Sequence, residues 1–283
     1  MYTLLDGNAL AKSIRLEVRE EVEKLPRRPG LAVILVGDDP ASQLYVTSKG
    51  VDCEKCGIYS RRIDYPDSVS EEELLETIGR LNADPAIDGI LVQLPLPDTI
   101  NEARIIEAIS PEKDVDVFHP VNLGRMVHGD SVIWPCTSAG IAAMLDAYHI
   151  SAEGKTCVIV GRSLIVGKPT GLLMLQRNAT VITCHRHTPD LAAMTRQADI
   201  LILSAGHQGL ITADMVKPGA VVIDVAMNRD PVTGNFTGDV CFDEVKEISS
   251  HISPVPGGVG PMTRAMLMKN VLTLGRLHMG FDA

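Results

Sequence analysis

Cysteine is scarce in this sequence: six in 283 residues, at 53, 56, 136, 157, 184 and 241. A chain this long buries enough surface to fold without staples, and so sparse a set does not make a disulfide scaffold. The thiols read as reduced, in a cytosol. Cys53 and Cys56 form one C-x-x-C with no second pair, half of what a structural zinc site needs. They are expected on a helix with no redox or metal role, and no metal site is expected. His185 and His187 likewise lack a third ligand. No apolar run approaches the ~18 residues of a membrane span, and acidic residues near the N-terminus stand where a signal peptide needs an apolar core. A basic excess is also missing. The 26 Lys+Arg against 36 Asp+Glu leave a net charge of −10, which argues against nucleic acid as a partner, because phosphate backbones call for cations.

What is present is ordinary globular composition, 45% hydrophobic and 22% charged, at a length that suggests about two domains. Short Val- and Ile-rich runs at 31–36, 90–94, 157–160, 180–184, 200–203 and 220–225 read as strands buried on both faces of a parallel sheet. Between them, stretches 7–24, 40–57, 70–82, 101–109, 138–148, 167–178 and 262–279 read as helices. Strand–helix alternation implies an α/β fold. A boundary is expected near 134–140, dividing the chain into a domain over 1–138 and another over 139–261. Helix 262–283 is expected to return to the first.

The run 156–160 is a strand leading into Gly161-Arg162-Ser163-Leu164-Ile165-Val166-Gly167-Lys168-Pro169 and a helix. Gly161 suits a tight turn. Gly167 lets the helix start close to the sheet, where its N–H groups favour a phosphate. Ser163 stands where the usual dinucleotide motif has its second glycine. In NAD enzymes the next strand ends near an acid that holds the ribose 2′-hydroxyl. Here it ends in Cys184-His185-Arg186-His187, without a carboxylate. Arg162 and Arg186 suit a 2′-phosphate, hence NADP; the bland reading makes them solvated strand-end cations.

Asp39 and Pro40 start a helix well and Gly57 can end it. Ser42, Tyr45 and Lys49 then share one face, near the sheet edge where ligands bind in open α/β folds. A partly desolvated Lys beside a tyrosine can move protons; on these residues alone an ordinary surface lysine is the simpler reading. Gln93, near the end of a buried strand, can bond Lys49, a ligand or backbone. Asp114 and Asp116 lie in one loop, where a carboxylate can receive two N–H bonds from an aminopyrimidinone ring or cap a turn. The Pro/Gly-rich run 254–261, opening the last helix, lets backbone approach a ligand.

Together these five motifs, in order and spanning essentially the whole chain, resemble the bifunctional methylenetetrahydrofolate dehydrogenase/methenyltetrahydrofolate cyclohydrolase family. The resemblance implies two α/β domains around a cleft, the second a Rossmann-like NADP-binding domain, in a cytoplasmic homodimer that binds tetrahydrofolate derivatives and no membrane. It implies oxidation of 5,10-methylenetetrahydrofolate with NADP and hydrolysis of the methenyl product to 10-formyltetrahydrofolate, in one-carbon metabolism. Lys49 would be the cyclohydrolase acid/base, Tyr45 would position it, and Gln93 would tune it. Asp116 would hold the pterin ring, with Ser42, Thr137, Gly257 and Gly258 at the folate. Gly161, Arg162, Ser163, Gly167, His185 and Arg186 would bind the cofactor. The family usually has Gly at 117, Pro at 138 and Gly at 226, where this chain has Val117, Ser138 and Ala226. Two other readings are a cyclohydrolase alone, given Ala226, and a folate- or nucleotide-binding module without turnover, which predicts damage at Lys49, Gln93 or Asp116.

Overall fold

The computed structural model describes residues 2–230 and 234–282. In chain order the first elements are β1 (Thr3–Leu4), α1 (Gly7–Val22), β2 (Gly30–Val36), α2 (Pro40–Cys56), β3 (Tyr59–Tyr65), α3 (Glu71–Ala83) and β4 (Gly89–Val92). Then come α4 (Glu102–Ala108), α5 (Pro120–His128), α6 (Cys136–Ala147), β5 (Thr156–Val160), α7 (Gly167–Gln176), β6 (Thr180–Cys184) and α8 (Leu191–Thr195). The last are β7 (Ile200–Leu203), β8 (Val221–Asp224), β9 (Asn228–Arg229), β10 (Phe236–Thr237), α9 (Phe242–Val245), β11 (His251–Ile252) and α10 (Val259–His278).

Contacts divide the chain into two α/β units, Met1–Ala11 with Pro135–Thr263, and Lys12–Trp134 with Arg264–Ala283. The division at Trp134/Pro135 lies within the 134–140 region named from sequence, whereas Met1–Ala11 does not stay with the domain expected over 1–138. The N-terminal segment joins the later unit because β1 pairs with β11, Thr3 opposite His251 and Leu4 opposite Ile252. A two-residue strand that completes a distant sheet leaves no periodicity to read.

The unit containing β5 has six parallel strands in the order β1-β11-β8-β7-β5-β6. Strands β5, β7 and β8 are buried almost throughout, which is why they read as continuous apolar runs. The other unit has three parallel strands, β3-β2-β4. Strand β2 is wholly buried, whereas β3, Tyr-Ser-Arg-Arg-Ile-Asp-Tyr, is mostly exposed at the sheet edge. Its charges gave no apolar run to recognise, and charge on an edge strand discourages stray pairing.

Both sheets share one topological property. From β5 the chain goes to β6 on one side and to β7 on the other; from β2 it goes to β3 on one side and β4 on the other. At such a reversal the loops leaving adjacent strand ends diverge and open a crevice. One crevice is flanked by the segments after β5 and β7, the other by those after β2 and β4. Among the described residues no helix is long and apolar enough to cross a membrane.

Candidate active site

Helix α2 forms as its punctuation predicts. The Asp39 carboxyl accepts the Ser42 N–H at 2.8 Å, Pro40 occupies the first turn, and Gly57 closes the helix in left-handed conformation. Ser42 is buried, Tyr45 is 38% exposed, and Lys49 is partly buried. Burial raises the Tyr45 phenol, and the nearby Arg264 cation opposes that rise.

Across the crevice, Gln93 follows β4 and donates its own backbone N–H to Ile34 in β2. The Gln93 amide Nε2 donates to the Leu94 carbonyl at 2.8 Å. That bond orients the side chain and leaves Oε1 to accept from Lys49 Nζ at 2.9 Å. Of the partners open to Gln93, lysine and backbone are therefore both used, one by each end of the amide.

The two carboxyls of the 113–120 loop have different duties. Asp114 is buried and accepts from the N–H groups of Phe118 and His119 and from Asn122 Nδ2. It is the turn-capping aspartate, whereas Asp116 is partly exposed. Directly after Asp116, Val117 is fully buried with φ +62°. This left-handed conformation suits glycine and strains a β-branched residue.

Arg264, which the sequence reading missed, lies along α2. Its Nε donates to buried Asp52 at 2.7 Å and its Nη2 to the Ser48 carbonyl at 3.2 Å. No local signal joins residues 212 positions apart. Beside Asp52, Cys53 and Cys56 are free, buried thiols that burial pushes up to about 12 and about 11.

In the other unit a pocket of about 480 Å³ opens at the ends of β5, β6 and β7, lined by Gly161, Arg162, Ser163, His185 and Arg186 among others. A Cβ on Gly161 would fall 2.2 Å from Ser204 Oγ, and one on Gly167 would fall 2.3 Å from the Gly161 carbonyl oxygen. Both glycines are demanded by close approach of backbone. Among the described residues, none lining the pocket is acidic. Neither Arg162 nor Arg186 has a carboxylate partner among the described residues. These features fit a nucleotide with an extra phosphate. One expectation is corrected: the N–H groups at the start of α7 are not all free, because Ser163 Oγ accepts from Val166 at 3.1 Å and from Gly167 at 3.4 Å. Ser163, where the usual motif has a glycine, thus ties the turn to the residues that open the helix. Leu191, Ser204, Ala205, His207 and Leu210 also line this pocket and were not anticipated; they come from separate elements and share no motif.

Thr137, Gly257 and Gly258 belong to this same unit. Thr137 and Thr263 hydroxyls lie 3.2 Å apart, and the Gly257 carbonyl accepts the Gly7 N–H at 3.0 Å. Ser138 is buried with its hydroxyl 2.9 Å from that of Thr170, a link from α6 to α7 that a proline could not make. Ala226 donates its N–H to Asp224 at 3.1 Å. Among the described residues no group of His, Cys, Asp and Glu could hold a metal ion.

Residues 5–116 match the catalytic domain of tetrahydrofolate dehydrogenase/cyclohydrolase, and residues 135–279 match its NAD(P)-binding domain. The chain belongs to this family. It is 56% identical over 272 residues to the bifunctional protein FolD of Halalkalibacterium halodurans, covering 95% of this chain and 97% of that one. The crystal structure of the bifunctional FolD enzyme from Campylobacter jejuni is similar with a TM-score of 0.96 at 48% identity, over 98% of this chain and 99% of that one. The FolD of Trypanosoma brucei, crystallised with NADP cofactor and an inhibitor, gives a TM-score of 0.94 at 38% identity, over 99% of each chain. Within the tetrahydrofolate dehydrogenase/cyclohydrolase frame, the Lys49–Gln93 pair falls in the catalytic-domain match and the Arg162 pocket in the NAD(P)-binding match.

Proposed function

We propose that this chain oxidises 5,10-methylenetetrahydrofolate with NADP⁺ and hydrolyses the methenyl product to 10-formyltetrahydrofolate, with Lys49 moving the protons of the second step. The hydrogen bond from Lys49 to Gln93, in a member of the tetrahydrofolate dehydrogenase/cyclohydrolase family, carries the reading.

The first step needs no strong base. A folate nitrogen lone pair expels the hydride from the methylene carbon, so the protein's task is alignment. When bound, NADP⁺ supplies the acceptor for that hydride. Arg162 and Arg186 would hold the 2′-phosphate, with His185 beside them, and Gly161, Ser163 and Gly167 would let the backbone approach the nucleotide. In the second step water attacks the methenyl carbon and the ring opens. Water loses a proton on attack, and the departing ring nitrogen gains one. Lys49 exchanges these protons. Gln93 holds the amine by one of its donors, and Tyr45, one turn before Lys49, positions it against the folate. Asp116, partly exposed in the loop that Asp114 caps, receives the pterin N–H groups. Ser42, Thr137, Gly257 and Gly258 complete the folate contacts. The active protein is a homodimer, as the family resemblance implies, and its sparse, reduced thiols suit a cytosol.

The test is a time-resolved absorbance spectrum with methylenetetrahydrofolate and NADP⁺. NADPH should rise with little methenyl accumulation. NADPH beside persistent methenylfolate removes the hydrolytic half of the reading. No NADPH, with methenylfolate decaying only at its uncatalysed rate, removes both.

A further inference from the structure

Asp239 has no part in the chemistry above, yet it is fully buried and bonded to Ala205 and His207, which line the pocket containing Arg162. Its carboxyl group gathers four donors. Oδ2 accepts the N–H groups of Ala205 at 2.7 Å and Gly206 at 3.1 Å. Oδ1 accepts the N–H of His207 at 2.6 Å and Asn228 Nδ2 at 3.0 Å. Three successive amides can converge on one acceptor only if the chain curls round it, forming a concave nest. Gly206 permits this curl at φ +69°. Turning the amides of 205–207 inward presents the opposite side of the loop outward, where Ser204, Ala205 and His207 wall the pocket that contains Arg162 and His185.

Asp239 is itself fixed from behind. The Val240 N–H donates to Asp224 at 2.9 Å, and Gly238 packs so closely that a Cβ there would lie 2.0 Å from Asp224 Oδ2. On the far side, the Asp239 carbonyl accepts the Ile211 N–H at 3.0 Å. Asp224, at the end of β8, thus holds the strand segment that carries Asp239, and Asp239 holds the loop that follows β7. The β7–β8 ladder ends at the pair Leu203 and Asp224, and the two carboxyl groups carry the connection beyond it.

We infer that Asp239 is a positioning residue for the cofactor: it sets the 205–207 wall of the pocket, and the nucleotide is bound through that wall rather than by Asp239 directly. The inference rests on this pocket being the NADP site.

The test compares Asp239→Asn with wild type by NADPH fluorescence titration and by steady-state kinetics. One oxygen of the group becomes a donor facing N–H groups, so at least one bond is lost. NADPH Kd and the dehydrogenase KM for NADP⁺ should each rise about tenfold, the effect of losing roughly one such bond, with kcat within about twofold. Far-UV circular dichroism and a thermal melt of the same sample report whether the variant is folded. Should Asp239→Asn fail that control, Gly206→Val keeps the carboxyl group and strains only the curl, with nothing within 4 Å to obstruct the new side chain. It should weaken NADPH similarly. An unchanged NADPH Kd in the folded variant overturns the inference. Arg162→Ala separates the two levels: if it too leaves NADPH binding unchanged, the pocket is not the cofactor's and the underlying reading fails. If Arg162→Ala weakens binding and the loop variant does not, only the positioning role fails.

Discussion

Lys49 and Gln93 are 44 positions apart in sequence and 2.9 Å apart in space. Lys49 is on helix α2, which follows β2, and Gln93 comes directly after the neighbouring strand β4, where the sheet reverses its winding. The Gln93 amide cannot turn over freely, because its other end is bonded to Leu94. The lysine amine is therefore held by a fixed acceptor rather than swinging in solvent.

Replacing Lys49 with Met should abolish cyclohydrolase activity, a loss on the order of 10²- to 10⁴-fold for a general acid/base, while hydride transfer stays measurable. Hydrolysis of methenyltetrahydrofolate near the wild-type rate would remove Lys49 from its role.

Asp116→Ala should raise the folate KM by about tenfold or more, since bonds to a charged group contribute about 1.5–3 kcal/mol. NADPH affinity, measured on the same sample, should not move. An unchanged folate KM would leave Asp116 as an ordinary loop carboxylate.

With Arg162 changed to Ala, NADP⁺ should bind about tenfold or more weakly, and NAD⁺, without the 2′-phosphate, much less so. Equal losses for the two nucleotides would contradict the phosphate contact.

Val117 and Val115 make a matched pair, both fully buried in the same loop, but only Val117 has positive φ. Each Val→Gly change removes similar apolar surface. At Val117 it also releases the left-handed strain, about 1–2 kcal/mol. Urea denaturation should show Val117→Gly to be less damaging than Val115→Gly by about that amount. Equal losses would mean that the loop relaxes without strain.

Burial, with a smaller push from Asp239, raises the Asp224 carboxyl to about 7, against about 3.9 for an unfolded aspartate. Between these values the folded chain holds a proton that the unfolded chain has lost. Its contribution to stability therefore falls as pH rises from about 4 to about 7, by roughly 1.4 kcal/mol per pH unit at most, and then levels. Asp88 acts in another window. Burial alone would raise it, but bonds from Arg27, His278 and the Gly30 N–H hold it down to about 2, so its contribution is lost only below about pH 4. Calorimetry from pH 5 to pH 8 should show a falling Tm that flattens in Asp224→Asn. An undiminished slope in that variant would assign the dependence to other groups.

The parallel α/β class, α2 between Asp39 and Gly57, and the strand–turn–helix at Gly161 were all legible in the sequence. Each is a local matter: a run of apolar residues reports burial on both faces, and a cap or a glycine reports the backbone beside it. Ser163 shows where locality ends, since its residue type did not say that its hydroxyl would take helix N–H groups. The edge strand β3 escaped because its charges hide its pairing, and β1 and β11 because two residues have no period. Only the tertiary structure brought Lys49 to Gln93, Arg264 to Asp52, and Asp239 to the amides of 205–207. Those contacts join segments whose separation along the chain carries no signal, because packing within each unit, not neighbouring residues, brings them together.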